Sequence, residues 1–270
     1  MMQYIILFLS LLGIILSLDI DHRKTQTNSI FGEWRQINVY KRKENFYTQG
    51  LFFEDGSTLI QSGGMYKESV IAKLDYPSME VISKTKLPDK AFAEGIARCG
   101  NYVYQLTWQE KVVYKYNISD LKLVDTLKQP KALREGWGLS NFEDHLIASD
   151  GTSNIYFLKC GSLELIRTIQ VQNNDRLINN INDLTYAHNS IYANVYYSSQ
   201  VLKINPGNGE VEKVYNMKNL VNYEVNKKKT LTLENLNHGD VLNGIAYNEE
   251  KDNFLLTGKR WGYFYEIEFD

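Results

Sequence analysis

From residue 33 to the C-terminus, apolar and polar residues alternate in short runs broken by Gly, Asn and Asp, the pattern of half-buried strands joined by tight turns. Residues 33–40 alternate in this way. Residues 95–97 lead to a turn at Cys99-Gly100-Asn101, then to strand runs at 102–108 and 111–117. The same grammar returns at 139–140, 145–149 and 154–158, and again at 191–196 and 200–204, which ends in the turn Asn205-Pro206-Gly207-Asn208-Gly209. The expectation is an all-β chain. Residues 217–238 break the pattern, being polar, without period two and partly helical around 220–226. An irregular segment of this length on a rigid scaffold is either a functional lid or a loop of no consequence, and the sequence leaves both open.

A longer period overlies the alternation. A residue followed or flanked by Gly and then Leu or Ile heads five segments: Gln49-Gly50-Leu51, Glu94-Gly95-Ile96, Gly136-Trp137-Gly138-Leu139, Asn182-Asp183-Leu184 and Asn243-Gly244-Ile245. The steps between leading residues are 45, 43, 45 and 61, with Asp183 standing where the other copies have glycine. About 44 residues is the length of one four-stranded propeller blade, so the reading is a five-bladed β-propeller over residues 33–270. The long last step then holds the insertion at 217–238. Equivalent positions lie at equal depth around a propeller axis, so Gln49, Glu94, Trp137, Asn182 and Asn243 are expected to line one shared pocket. The run 33–40 is expected to close the ring beside residues 263–269, which removes an open sheet edge.

Composition agrees with sheets. Nineteen Tyr and eleven Phe against four Pro suit pleated, half-buried surfaces. With 30 basic and 32 acidic residues the net charge is -2, which gives no reason to expect a nucleic-acid partner, and Lys227-Lys228-Lys229 reads as a solvated loop. Residues 4–18 are apolar and uncharged, short for a membrane span, and read as the core of a signal peptide at 1–18, followed by a polar leader at 19–32. An uncleaved signal anchor is the alternative, since the stretch lacks a basic flank and a small-x-small cleavage site. The secretory reading predicts a secreted or lumenal monomer, free of the membrane once the signal is cleaved. It also makes Asn117-Ile118-Ser119 a glycosylation sequon. Cys99 and Cys160 both adjoin glycine at expected turns of neighbouring blades; a disulfide is permitted, but two free half-buried thiols are expected, because a spacing of 61 residues does not bring those turns together.

Candidate chemistry gathers around the repeat. Trp108 follows Glu94 by 14 residues, as Tyr196 follows Asn182, so both aromatics are expected at matching positions facing the axis. Lys259 comes 16 residues after Asn243, near that position in the last blade, which would pair one ammonium with the carboxylate of Glu94. Each residue alone has a structural reading, since blade aromatics pack between sheets and inner-strand amides bond around a wet channel. Their joint occurrence around a lone acid favours a site. His22, His145, His188 and His238 are scattered without metal-ligand spacing, so no metal and no cofactor are expected.

The residues carry a family resemblance. Tyr47-Thr48-Gln49-Gly50-Leu51, Ala93-Glu94-Gly95-Ile96, Gln105-Leu106-Thr107-Trp108-Gln109-Glu110, Glu135-Gly136-Trp137-Gly138-Leu139, Ser149-Asp150-Gly151-Thr152, Ile191-Tyr192-Ala193-Asn194-Val195, Leu242-Asn243-Gly244-Ile245-Ala246-Tyr247 and Leu256-Thr257-Gly258-Lys259 resemble, in family order, the signature of the plant and bacterial type glutaminyl-peptide cyclotransferases. The resemblance implies a five-bladed propeller that converts N-terminal glutamine of peptides and proteins to pyroglutamate, releases ammonia and needs no zinc. It implies that Gln49, Glu94, Trp108, Trp137, Asn182 and Lys259 line the active site. The chain departs from the family pattern at Tyr196, where Trp is usual, at Thr185 and Gln61, where acids are usual, and at Lys67, where Gly is usual.

Cyclisation sets its own requirements. The α-amine, with a pKa near 8, must lose a proton to attack the γ-carboxamide, and the departing NH₂ must gain one. Glu94 is the expected general acid/base. Lys259, Asn182 or the indole N–H of Trp137 are expected to stabilise the oxyanion, with Trp108 and Tyr196 holding the folded side chain and Gln49 and Asn243 orienting it. A non-catalytic propeller binding a peptide or glycan at the same mouth is the competing reading. A metal-dependent hydrolase would need a cluster of acids that the axis does not offer.

Overall fold

Each alternating run becomes one strand, and the strands assemble into five four-stranded antiparallel sheets, the blades of a five-bladed β-propeller. The computed structural model describes residues 29–228 and 232–270. Blade 1 comprises Thr48–Asp55, Thr58–Gly63, Val70–Asp75 and Val81–Lys86; blade 2 comprises Ala93–Cys99, Tyr102–Thr107, Val112–Asn117 and Leu123–Lys128. Blade 3 comprises Leu139–Phe142, His145–Ser149, Asn154–Lys159 and Leu165–Gln170; blade 4 comprises Ile181–Ala187, Ser190–Val195, Gln200–Ile204 and Val211–Asn216. A two-stranded ribbon, Gln172–Asn173 with Arg176–Leu177, joins them. Blade 5 takes Leu242–Asn248, Asn253–Gly258 and Tyr263–Phe269 from the end of the chain and its outer strand, Trp34–Lys41, from the start. The register runs from Trp34 opposite Phe269 to Lys41 opposite Tyr263, so the expected ring closure is present.

The apolar core lies between blades and not on the axis. Ile147, Phe157, Ile191 and Leu202 pack blade 3 against blade 4, while Leu51, Leu59, Leu255 and Phe264 pack blade 5 against blade 1. Between blades 4 and 5 the filling is aromatic, with Tyr192 stacked on Phe269 at 5.4 Å and Tyr215 beside them. Every inner strand therefore turns apolar side chains to its neighbours, and its polar residues are left for the axis.

Residues 217–238 carry structure of their own. A helical turn, Lys218–Asn222, passes into a wider turn, Tyr223–Lys228, and a short helix, Leu233–Asn237, starts at the side-chain cap of Thr232. Met217 and Leu220 are buried against blade 5. The carboxylate of Glu224, fully buried, accepts from the N–H groups of Gly262 and Tyr263 and from the hydroxyl of Tyr265. These contacts dock the start of the insertion on the scaffold. The expected signal peptide, the expected leader up to residue 28 and residues 229–231 lie outside the described residues. Among the described residues, no helix is long and apolar enough to cross a membrane.

The expectation of two free thiols is overturned. Cys99 and Cys160 form a disulfide with their Cα atoms 5.8 Å apart. Consecutive blades stand side by side, so the end of the blade 2 inner strand meets the turn that follows Asn154–Lys159 in blade 3, whatever their separation along the chain. A disulfide over such a loop contributes about 2–4 kcal/mol. The double variant Cys99→Ser, Cys160→Ser is therefore expected to melt roughly 5–10 °C lower than the parent in a calorimetric scan. An unchanged melting temperature would show that the bond is dispensable.

Candidate active site

The repeat works because four of the five leading residues sit on an irregularity of their strand, while Trp137 stands just before its own, Leu139–Phe142. Pairing of the inner with the second strand shifts register between Thr48 and Gly50, between Ala93 and Ile96, between Ile181 and Leu184, and between Leu242 and Ile245. Such bulges twist the strand and re-aim one side chain, here towards the axis. The glycines follow from crowding there. A Cβ on Gly95 would lie 2.3 Å from Leu139 N, and one on Gly138 would lie 2.2 Å from Asn182 O, because adjacent inner strands touch backbone to backbone. Asp183 takes this position in blade 4, and its buried Oδ2 accepts from Ile245 N of blade 5 at 2.9 Å.

At the end of the axis where the inner strands begin, a cavity of about 220 Å³ opens. Seven of the eight site residues expected from the sequence line it: Gln49, Glu94, Trp108, Trp137, Asn182, Tyr196 and Lys259. Asn243 does not. It is fully buried behind Gln49, donating from Nδ2 to Thr48 O at 3.0 Å and to Gln49 Oε1 at 3.4 Å, so a direct substrate contact is replaced by a supporting one. Tyr47, Met65 and Phe92 complete the wall and were not singled out from the sequence. A signal for two of them existed: Tyr47, Phe92 and also Glu135 stand two residues before Gln49, Glu94 and Trp137, and alternate residues of an extended chain share a side.

Glu135 holds the aromatic wall. Its Oε2 accepts from the indole N–H groups of both Trp108 and Trp137 at 2.9 Å. Partial burial alone would raise this carboxyl, but the donors of Trp137, Trp108 and Gln109 outweigh it and keep its pKa below the ordinary value. The indole N–H of Trp137 is thereby engaged, which corrects its expected availability to an oxyanion. Trp137 also meets Tyr196 edge to face at 5.5 Å, leaving the rings to contribute shape.

Besides the tyrosines, one acid and one base face the cavity with perturbed equilibria. Burial pushes the Glu94 carboxyl well above its usual range; the charge of Lys259 opposes this, while Glu135, Glu110 and Asp183 add to it. Burial brings the Lys259 ammonium down to about 8, against the opposing pull of Glu94, Asp183 and Asp240. Among the described residues no ion pair within 4.0 Å joins the two, so the expected direct pairing is not formed. Lys259 Nζ stands instead over the rings of Tyr196 and Tyr47, 4.5 and 5.0 Å from their centroids. Glu94 Oε1 accepts from Gln49 Nε2 at 3.2 Å. Among the described residues no cluster of three His, Cys, Asp or Glu side chains is placed to hold a metal ion.

Residues 11–269 match the model of the family described as Glutamine cyclotransferase. The chain belongs to this family. It is 29% identical over 254 residues to the glutaminyl-peptide cyclotransferase of Arabidopsis thaliana, covering 93% of this chain and 74% of that protein. The crystal structure of Myxococcus xanthus glutaminyl cyclase superposes with a TM-score of 0.78 at 29% identity, covering 88% of this chain and 97% of the other.

The departures from the cyclotransferase pattern fall into separate places. Thr185 lines an open cavity of about 600 Å³ at the opposite end of the inner strands, away from Glu94 and Lys259. Gln61 is fully buried and donates to Thr48 Oγ1 at 2.7 Å. Lys67 keeps a left-handed backbone (φ 69°), a conformation that suits the glycine usual there. Only Tyr196 touches the pocket. Its hydroxyl faces Gly239, where an added Cβ would lie 3.0 Å away, so the chain just after the insertion reaches the rim of the site. Tyr196→Trp is expected to fold with a melting temperature close to the parent and to lower KM for a Gln-initiated peptide a few-fold through its larger stacking face. A grossly destabilised variant would show that the ring has no spare volume.

Proposed function

We propose that this protein cyclises the N-terminal glutamine of peptides and proteins to pyroglutamate, releasing ammonia, without a metal and with Glu94 as general acid/base. The observation that carries the reading is one buried carboxyl, its pKa raised by burial, in a small aromatic cavity that also holds a lysine brought down to about 8. A carboxylate of raised pKa is basic enough to take the proton from an α-ammonium as the amine nitrogen bonds to the carboxamide carbon. The same carboxyl returns that proton to the leaving NH₂ as the C–N bond breaks, then takes the second proton that the ring nitrogen must shed and passes it to the departing ammonia, so that ammonium leaves and no net proton is retained at the residue. Asn182 Oδ1 is buried without a partner among the described residues, which leaves its Nδ2 as the end of the carboxamide for a substrate oxygen. Together with the Lys259 ammonium it would hold the oxyanion formed at the former carboxamide. Trp108, Trp137 and Tyr196 would keep the glutamine side chain folded towards its own amine.

Metal independence rests on the donor set, in which the charge for the oxyanion comes from Lys259 and no ligand cluster accompanies Glu94. Ammonia release from a Gln-initiated peptide is expected at equal rates with and without chelator. Loss of activity on chelation, restored by zinc, would overturn that part, and absence of ammonia release would overturn the cyclase reading. The reading includes a secreted or lumenal monomer with a cleaved signal at 1–18 and a glycan on Asn117, a half-buried residue whose Oδ1 accepts from Ser119. Intact mass of the secreted protein tests both modifications.

A further inference from the structure

A carboxamide can sit either way round unless its neighbours are one-way groups. A backbone N–H only donates, and a backbone carbonyl only accepts. Asn243 meets one of each: Asp183 N donates to its Oδ1 at 3.4 Å, and its Nδ2 donates to Thr48 O at 3.0 Å. Turning the amide over would set donor against donor and acceptor against acceptor at a site with 0% exposure, where each mismatch carries the full desolvation penalty. Asn243 therefore has one orientation. Its Nδ2 also points at Gln49, whose Oε1 accepts at 3.4 Å, so the other end of Gln49 must face Glu94, and Nε2 donates to Glu94 Oε1 at 3.2 Å. Polarity set by two backbone groups in blades 4 and 1 is thus carried through blades 5 and 1 to an acid in blade 2.

We infer that Asn243 is a positioning residue which, through Gln49, presents Glu94 with a donor and never an acceptor, holding Oε1 and leaving Oε2 to exchange the proton with the substrate. The inference rests on the reading of Glu94 as general base. A carboxyl that met the oxygen end of Gln49 would be held in its protonated form and could not take a proton from the amine. The donor end favours the carboxylate and works against burial. Around Glu94, Lys259 acts in the same sense as Gln49; Glu110, Glu135 and Asp183 act in the opposite sense; Tyr47 and Tyr66 also face it.

Asn243→Asp replaces Nδ2 with an oxygen that, with any proton turned to Thr48 O, offers Gln49 an acceptor. Gln49 should turn over and bring its Oε1 to Glu94. The acid limb of kcat/KM is then expected to move up by about one pH unit or more, with activity recovering on the alkaline side of it. Asn243→Leu, which imposes no polarity and adds no charge, should move the limb the same way by less. The infrared band of protonated Glu94, identified by its loss in Glu94→Gln, should titrate in step. A residue that merely packs would lower the melting temperature and move neither readout. Folded variants whose acid limb and band both titrate with the parent overturn the inference. Should neither variant fold, neutron diffraction from the deuterated parent decides: two deuterons on the Gln49 atom facing Glu94 uphold it, and an oxygen there overturns it. Parental turnover in Glu94→Gln would instead remove the general-base reading, while the band titration would still test the relay.

Discussion

Glu94→Gln is expected to lower kcat for a Gln-initiated peptide by about 10²- to 10⁴-fold while KM changes little, because the variant keeps size and hydrogen bonding and loses only the proton acceptor. The substitution is also expected to leave stability intact or raise it. Glu94 makes no ion pair within 4.0 Å among the described residues, and burial raises its pKa, so a neutral amide removes a charge that the fold holds at a cost. A purely structural acid would give the opposite pattern, with near-parental turnover per folded molecule and a lower melting temperature. Turnover and melting temperature should be read on one purified sample, and parental kcat in the variant would end the catalytic role.

Lys259→Gln is expected to cost about 10²- to 10³-fold in kcat, the range for losing one donor to a developing oxyanion. The pH profile gives the sharper reading. In the parent, kcat/KM should rise as Glu94 loses its proton and fall as pH passes about 8, where Lys259 loses its own. In the variant that alkaline limb should vanish. The acid limb should move to higher pH, since Lys259 is the charge that opposes the raised pKa of Glu94. An unchanged alkaline limb would assign it to another group, such as the substrate amine, whose pKa lies in the same region.

Much of this protein was legible along the chain, and the reason is that it repeats. Period-two alternation and period-44 recurrence are local signals, so the strands, the five blades and the turning of Gln49, Glu94, Trp137 and Asn182 to one pocket could be read without contacts. The closing strand was legible because a ring of blades with an unpaired edge has one remedy, and the alternating run at the start of the chain supplied it.

What the tertiary structure decided lies at the junctions between blades, where partners are far apart in sequence and no periodicity couples them. Cys99 met Cys160 because neighbouring blades abut, although each cysteine reads alone as a half-buried thiol. Glu135 turned from a motif residue into the strut for two indoles, and its engagement removed the N–H of Trp137 from the oxyanion. The clearest case is Asn243. Its place in the repeat pointed to the pocket, yet it lies behind Gln49 across a separation of 194 residues, and two backbone groups fix its orientation. By itself the sequence determined which residues gather at the axis, because alternation and repeat length set the direction of each side chain. Which end of each amide faces the acid, and which acid stays unpaired, only the packed structure could decide, because hydrogen-bond polarity belongs to the contact and not to the residue.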